Sequence, residues 1–172
     1  MFLNNIKNFF LKRTLKRQLG NVKNDFFDSP VTKVGLIVDE SLFLETNTLI
    51  QEIISNGITE NNIKTIVYRD SVSDKEIHPI PTFGFKDLNL NGKFTKQAIN
   101  EFISDEFDLL ISYYNEEKPF LLLLTNNSKA KFKTGFSTVD ERLNHLLINT
   151  RLEDYKDFTT ELFRYLKILN KI

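Results

Sequence analysis

The 172-residue sequence contains no cysteine. Disulfides, thiolate metal sites, iron–sulfur clusters and cysteine nucleophiles are therefore excluded, and a reducing compartment is the matching environment. Histidine is nearly as scarce, with only His78 and His145. Two isolated histidines make no zinc site, and neither stands near a serine in a nucleophile-elbow setting. A structural role outweighs general-base work for both. Long apolar runs are missing too: the longest, residues 119–124, falls far short of the roughly 20 residues that span a bilayer. A glycine-rich phosphate loop is also absent. The first strand pattern runs into Asp39-Glu40-Ser41-Leu42, an acidic turn that repels phosphate instead of cradling it. Dinucleotide and P-loop chemistry are thereby disfavoured.

What the chain does have is a charge asymmetry. Residues 1–24 hold Lys7, Lys12, Arg13, Lys16, Arg17 and Lys23 and no acidic residue. The remainder then carries 17 basic against 23 acidic residues, a charge of −6. The same segment places Phe2, Leu3, Ile6, Phe9, Phe10, Leu15 and Leu19 at helical spacing. It reads as a basic amphipathic helix over residues 1–20 joined to an acidic body. Its charges follow its apolar positions, unlike a signal peptide. The expectation is a cytoplasmic protein, peripheral to the inner face of the membrane where the helix docks.

Residues 21–32 read as a linker, with Asp28-Ser29-Pro30 as its turn. Residues 33–172 read as an α/β domain. Residues 33–39, 63–69 and 107–113 are short, nearly continuous apolar runs, the pattern of strands buried on both faces of a parallel sheet. Residues 34–38, 63–68 and 109–112 are expected as its central strands. Shorter strands are expected over 82–86, 131–136 and 145–149. Helices are expected over 42–55, capped by Asp39 or Ser41 and closed by Asn56-Gly57, over 95–104, over 119–127 with Pro119 in its first turn, and over 152–169. The alternation of strands and helices predicts a Rossmann-like, doubly wound, mostly parallel sheet. The amphipathic helix lies outside that alternation and reads as detachable; its competing reading is a helix packed on its own domain with solvated lysines.

Ligands of such sheets bind beyond the carboxyl ends of the strands, near the switch in strand order. Those ends carry Asp39-Glu40-Ser41, Arg69-Asp70-Ser71, Tyr113-Tyr114-Asn115 and Thr134-Gly135. Asp39 and Asp70 are the candidate pair for holding Mg²⁺ and a phosphate, since hard cations take oxygen ligands. Their competing role is in caps and loops, which aspartate favours on its own account. No cofactor and no metal is expected. The docking candidates are Lys7, Lys12, Arg13, Lys16, Arg17, Phe2, Phe9 and Phe10, facing an anionic membrane surface or a protein complex. The acidic body argues against nucleic acid.

Residues 107–136 (FDLLISYYNEEKPFLLLLTNNSKAKFKTGF) resemble a strand–helix–strand unit of the N-terminal lobe of heptosyltransferase-type glycosyltransferases. The resemblance covers about thirty residues, carries no catalytic residue across, and leaves no room in this length for that family's nucleotide-sugar lobe. The whole chain is more similar to a bacterial family of unknown function, through its basic N-terminal helix, VGLIVD, FDLLISYY, KFKTGF and HLLINT. That resemblance implies a Rossmann-like fold and no activity. The leading expectation is a non-enzymatic binding or scaffold protein. The alternative is a small-molecule or phosphate-handling enzyme centred on Asp39 and Asp70.

Overall fold

A computed structural model describes residues 13, 15–17, 19–20, 22, 29–73, 78–89 and 92–172. The expected helix over residues 1–20 therefore lies largely outside the described residues, including Phe2, Lys7, Phe9, Phe10 and Lys12. Among the described residues, six strands form one all-parallel sheet: β1 (Val34–Asp39), β2 (Ile63–Tyr68), β3 (Thr82–Phe83), β4 (Leu109–Tyr113), β5 (Phe132–Phe136) and β6 (Leu146–Ile148). Their order is β3-β2-β1-β4-β5-β6, the Rossmann-like order in which the chain reverses direction across the sheet after β3. All three runs expected at the centre are interior strands. The expected doubly wound fold is the observed one.

Strand alternation sends alternate residues to the two faces. Ile37, Ile66, Leu110 and Tyr114 face one layer, built by α2 (Gln97–Ser104) and α3 (Pro119–Asn127). Val34, Leu36, Val38, Leu109 and Ile111 face the other, built by α1 (Thr46–Ser55) and α4 (Tyr155–Ile168). Within α4, Phe158, Leu162, Phe163 and Leu166 are buried, the expected apolar stripe. Among the described residues no helix is long and apolar enough to cross a membrane.

Four boundaries move. The helix expected over 42–55 starts at Thr46, preceded by Glu45 with no side-chain cap. Neither Asp39 nor Ser41 caps it, because both are engaged elsewhere. Leu42 and Phe43 instead donate their amides to the Asp39 carbonyl, at 3.2 and 3.0 Å. The strand expected over 82–86 is two residues long, and a 3₁₀ turn over Phe85–Asp87 takes its end. The helix expected from residue 95 starts at Gln97, where the Thr95 amide bonds the Asp87 carbonyl at 2.9 Å. The helix expected from residue 152 starts at Tyr155, since the Leu152 carbonyl accepts the buried Tyr113 hydroxyl at 2.6 Å.

The described part of the N-terminal segment is not loose. Arg13 and residues 15–17 are helical, and Leu15 and Leu19 are 7% and 6% exposed, in the cluster that holds Val139 and Leu143. Arg142 donates to the Leu19 carbonyl at 3.2 Å and accepts the Val22 amide at 3.0 Å. Burying two leucines stabilises this attachment by roughly 1.5–3 kcal/mol each. Leu15 and Leu19 thus belong to the core, although they stand outside the alternation of strands and helices.

The end of the linker is also fixed. The Val31 amide donates to the Lys171 carbonyl at 2.8 Å. Asp108 accepts the Thr32 amide at 3.0 Å, the Thr32 hydroxyl at 2.7 Å, the Lys33 amide at 2.9 Å and the Lys131 ammonium at 2.8 Å. Burial alone would raise the Asp108 carboxyl, but the Lys131 ammonium and these hydrogen bonds overcome it and hold the carboxyl well below its usual range. A depressed folded-state pKa contributes stability that is present above the unfolded value of about 4 and is lost as pH falls. Asp108→Asn should cost about 2 kcal/mol at neutral pH. It should also flatten the decline of stability below about pH 4, read from urea midpoints at several pH values. An unchanged acid limb would show that this clamp is not what acid breaks.

Lys133 lies inside the fold, 7% exposed. Its ammonium donates to the Thr125 carbonyl at 2.7 Å and to the Asn126 carbonyl at 3.4 Å. It thus meets the negative end of α3, where orphan carbonyls need donors. Burial pushes this ammonium down to about 8.

Candidate functional site

The carboxyl ends of β1, β2 and β4 meet the start of α3. In the register Asp39 stands opposite Tyr68, and Val38 opposite Tyr113, so the reversal in strand order falls between Asp39 and the β4 end. A parallel crossover returns α3 over this edge, and Pro119 fixes its first turn. The residue just before it, Lys118, is delivered into the gap.

Lys118 lies between the two candidate carboxylates. Its ammonium is 2.7 Å from Asp39 Oδ2 and 3.1 Å from Asp70 Oδ1, and it sits 5.0 Å from the centre of the Tyr68 ring. Asp39 is fully buried, whereas the Asp70 side chain is 63% exposed. The other Asp39 oxygen accepts the Ser41 amide at 3.0 Å, and the Ser41 hydroxyl accepts the Asp70 amide at 2.8 Å. Burial, followed by the Asp70 charge and a hydrogen bond to Asp70, raises the Tyr68 hydroxyl above its ordinary value. Tyr68 therefore stays protonated in the physiological range.

A second ion pair closes the flank. Arg69 grips Glu40 with two hydrogen bonds, at 2.9 and 2.7 Å, and Glu40 also accepts the Thr46 hydroxyl. His78 places Nδ1 3.5 Å from Arg69. Next to Lys118, Glu117 pairs with Lys16 of the N-terminal segment at 2.7 Å.

The structure thus brings Asp39 and Asp70 together as the sequence suggested, but around an ammonium that sequence reasoning missed. Lys118 is 79 residues from Asp39 and 48 from Asp70, and no local pattern marks such a pairing. A divalent ion at this place would have to displace Lys118, because one positive charge already bridges both carboxylates. Among the described residues, no group of three or more histidine, aspartate or glutamate side chains is placed to hold a metal ion. The arrangement ties the ends of β1 and β2 to the start of α3.

The remaining candidates separate from this cluster. His145 is on the far side of the sheet, where its Nδ1 accepts the Lys133 amide at 2.9 Å and its ring stacks on Phe132 at 5.2 Å. Thr134 is buried, and Gly135 is closed over by Asn144, whose side-chain nitrogen would meet a Cβ there at 2.8 Å. Asn115 uses its carbonyl to accept the Thr138 hydroxyl at 2.9 Å. Of the docking candidates, Arg13 and Arg17 are exposed and Lys16 is partly covered in its ion pair with Glu117.

Comparison with known proteins finds no match among curated proteins and none among solved structures. A family model does match, over residues 7–169, a span that takes in part of the basic segment together with the whole sheet and α4. The chain belongs to the family of unknown function designated DUF6913.

Proposed function

We propose that this protein is a non-enzymatic peripheral docking protein whose basic N-terminal segment binds an anionic membrane surface. The observation that carries this reading is the division of the segment's described end. Leu15 and Leu19 are buried in the domain, while Arg13 and Arg17 are exposed. At about 100° per helical residue, Phe2, Ile6, Phe9 and Phe10 fall in register with Arg13 and Arg17, and out of register with Leu15 and Leu19. The exposed Arg13 and Arg17 suit a bilayer interface, with their cations at the head groups, and the helix expected over residues 1–20 would add its aromatic rings among the acyl chains. A protein complex is the other partner that such a face could serve.

The enzyme alternative draws support from the convergence of Asp39 and Asp70. The Lys118 bridge weighs against it, because the charge that would recruit Mg²⁺ is already balanced in part from within.

Co-sedimentation with lipid vesicles tests the proposal. Wild-type protein should partition onto vesicles containing about a third phosphatidylglycerol and not onto pure phosphatidylcholine. Binding should weaken as salt rises. Arg13→Glu with Arg17→Glu should lower the partition coefficient at least about tenfold per reversed charge. Equal binding to neutral and anionic vesicles would overturn the role given to the basic residues, and binding to neither would remove the membrane as partner and leave a protein complex to be sought.

A further inference from the structure

Exposed apolar side chains gather at the end of α4. Tyr165, Ile168, Leu169 and Ile172 all reach solvent, Ile168 by 62%. Scattered singly such residues need no partner, but on successive turns they form a patch. The patch is held rigid. Asn170 takes the left-handed conformation, at φ 54°, just past the helix end. The chain turns back there, with the Lys171 amide bonded to the Leu166 carbonyl at 2.8 Å and the Asn170 amide to the Lys167 carbonyl at 3.0 Å. The Lys171 carbonyl in turn accepts the Val31 amide. Burying a surface fixed in this way costs little ordering entropy.

Asp157, Glu161, Arg164 and Ile168 follow one another at spacings of four, three and four residues, the seam of a paired helix. They lie on the side away from the buried Phe158, Leu162, Phe163 and Leu166. The seam is acidic in its first half, with Glu153 before it, and basic in its second, where Lys167 joins Arg164. A parallel neighbour would set like charges together. An antiparallel copy sets each acidic half against a basic half, and a two-fold axis makes that contact twice. The Glu161–Arg164 pair within one chain leaves both side chains about half exposed, and such a pair contributes little. The helix macrodipole accounts for acid at the start and base at the end of α4, but not for the exposed apolar patch. Beside it in the same layer, α1 presents Asn47, Thr48, Gln51 and Ser55 to solvent. Together the two helices carry Lys156, Arg164 and Lys167 against Glu52, Asp157 and Glu161, a net charge of zero. Two copies of this layer therefore do not repel, although residues 25–172 as a whole carry −6.

We propose that the outer face of α4, with α1 beside it, pairs antiparallel with the same face of a second copy of this chain, making a two-fold dimer. The membrane reading above is not needed for it. Sedimentation of the full-length protein at micromolar concentration should give twice the 20.1 kDa of one chain. Asp157→Lys with Glu161→Lys makes the seam basic throughout, and Arg164→Glu with Lys167→Glu makes it acidic throughout. Each variant alone should sediment as a monomer with the circular dichroism of the wild type, because these side chains reach solvent. Mixed, the two variants should form a dimer holding one chain of each. Ile168→Asp, at a side chain already in water, should also give a monomer. A monomeric wild type overturns the proposal; if Ile168→Asp then lowers vesicle partitioning, the patch meets lipid instead. Charge variants that dimerise alone as the wild type does, or that stay apart when mixed, overturn it as well.

Discussion

Replacing Lys118 with methionine should destabilise the protein by about 3 kcal/mol, the lower end of what breaking a buried ion pair costs. Methionine keeps the length and apolar stem of lysine but removes the charge. Asp39 is fully buried, so its carboxylate would lose its cation with no water to take its place. Asp70 would lose less, since its side chain is 63% exposed and an exposed pair contributes little. Adding Asp39→Asn to the Lys118→Met chain should recover most of the loss, because the amide no longer carries a buried charge. A double-mutant cycle from urea denaturation would isolate that coupling. The same variants bear on the metal reading. Millimolar Mg²⁺ should leave the wild-type melting temperature unchanged, and should raise that of Lys118→Met by giving Asp39 and Asp70 a replacement cation. A Mg²⁺ response in the wild type would reinstate the enzyme alternative.

Gly35→Val should cost about 3 kcal/mol, at the upper end of ordinary overpacking. Gly35 is the second residue of β1, and a Cβ there would lie 2.8 and 2.9 Å from two Phe107 ring carbons and 3.0 Å from Leu110 Cδ1. Phe107 has little freedom to yield, being fully buried with its ring 4.8 Å from Phe102. Gly35→Ala gives a sharper test of sign. An extended strand position with open space would gain about 0.5–1 kcal/mol from alanine through reduced backbone entropy. Here alanine should instead destabilise, and Phe107→Leu in the same chain should relieve part of the strain. A neutral or stabilising Gly35→Ala would show that the ring gives way more easily than its surroundings suggest.

The sheet was legible because its signal is local. VGLIVD, IKTIVY and LLISY are apolar but for Asp39, Lys64, Thr65 and Ser112, which suits a strand covered by helices on both faces. The same logic recovered α3, whose Pro119 sits in the first turn and whose range, Pro119–Asn127, is the one read from sequence. The start of α1 was not legible. Asp39 and Ser41 are ideal cap residues by type, but tertiary partners claim them: Lys118 and Ser41 for Asp39, Asp70 for Ser41. The candidate site was half legible for the same reason. Two aspartates ending neighbouring strands can be read from the chain, whereas the cation between them arrives through a crossover connection. In the N-terminal segment, the helical spacing of apolar residues was apparent. That Leu15 and Leu19 serve the core emerged only from their burial.

Lys133 makes folding a proton-releasing reaction in mild alkali. At about pH 9 an unfolded chain holds this lysine protonated, near its ordinary 10.5, while the folded chain, with the ammonium pushed down to about 8, holds it largely neutral. Lys133 therefore adds stability as pH climbs from about 8 toward 10.5, because the unfolded state binds the extra proton there. Tyr68, Tyr113 and Tyr114, all raised by burial, act in the opposite sense once the unfolded tyrosines ionise near pH 10. Between these two titrations the chain exchanges a proton with its buffer each time it folds. The heat of unfolding in that window therefore includes the ionisation heat of whichever buffer surrounds it.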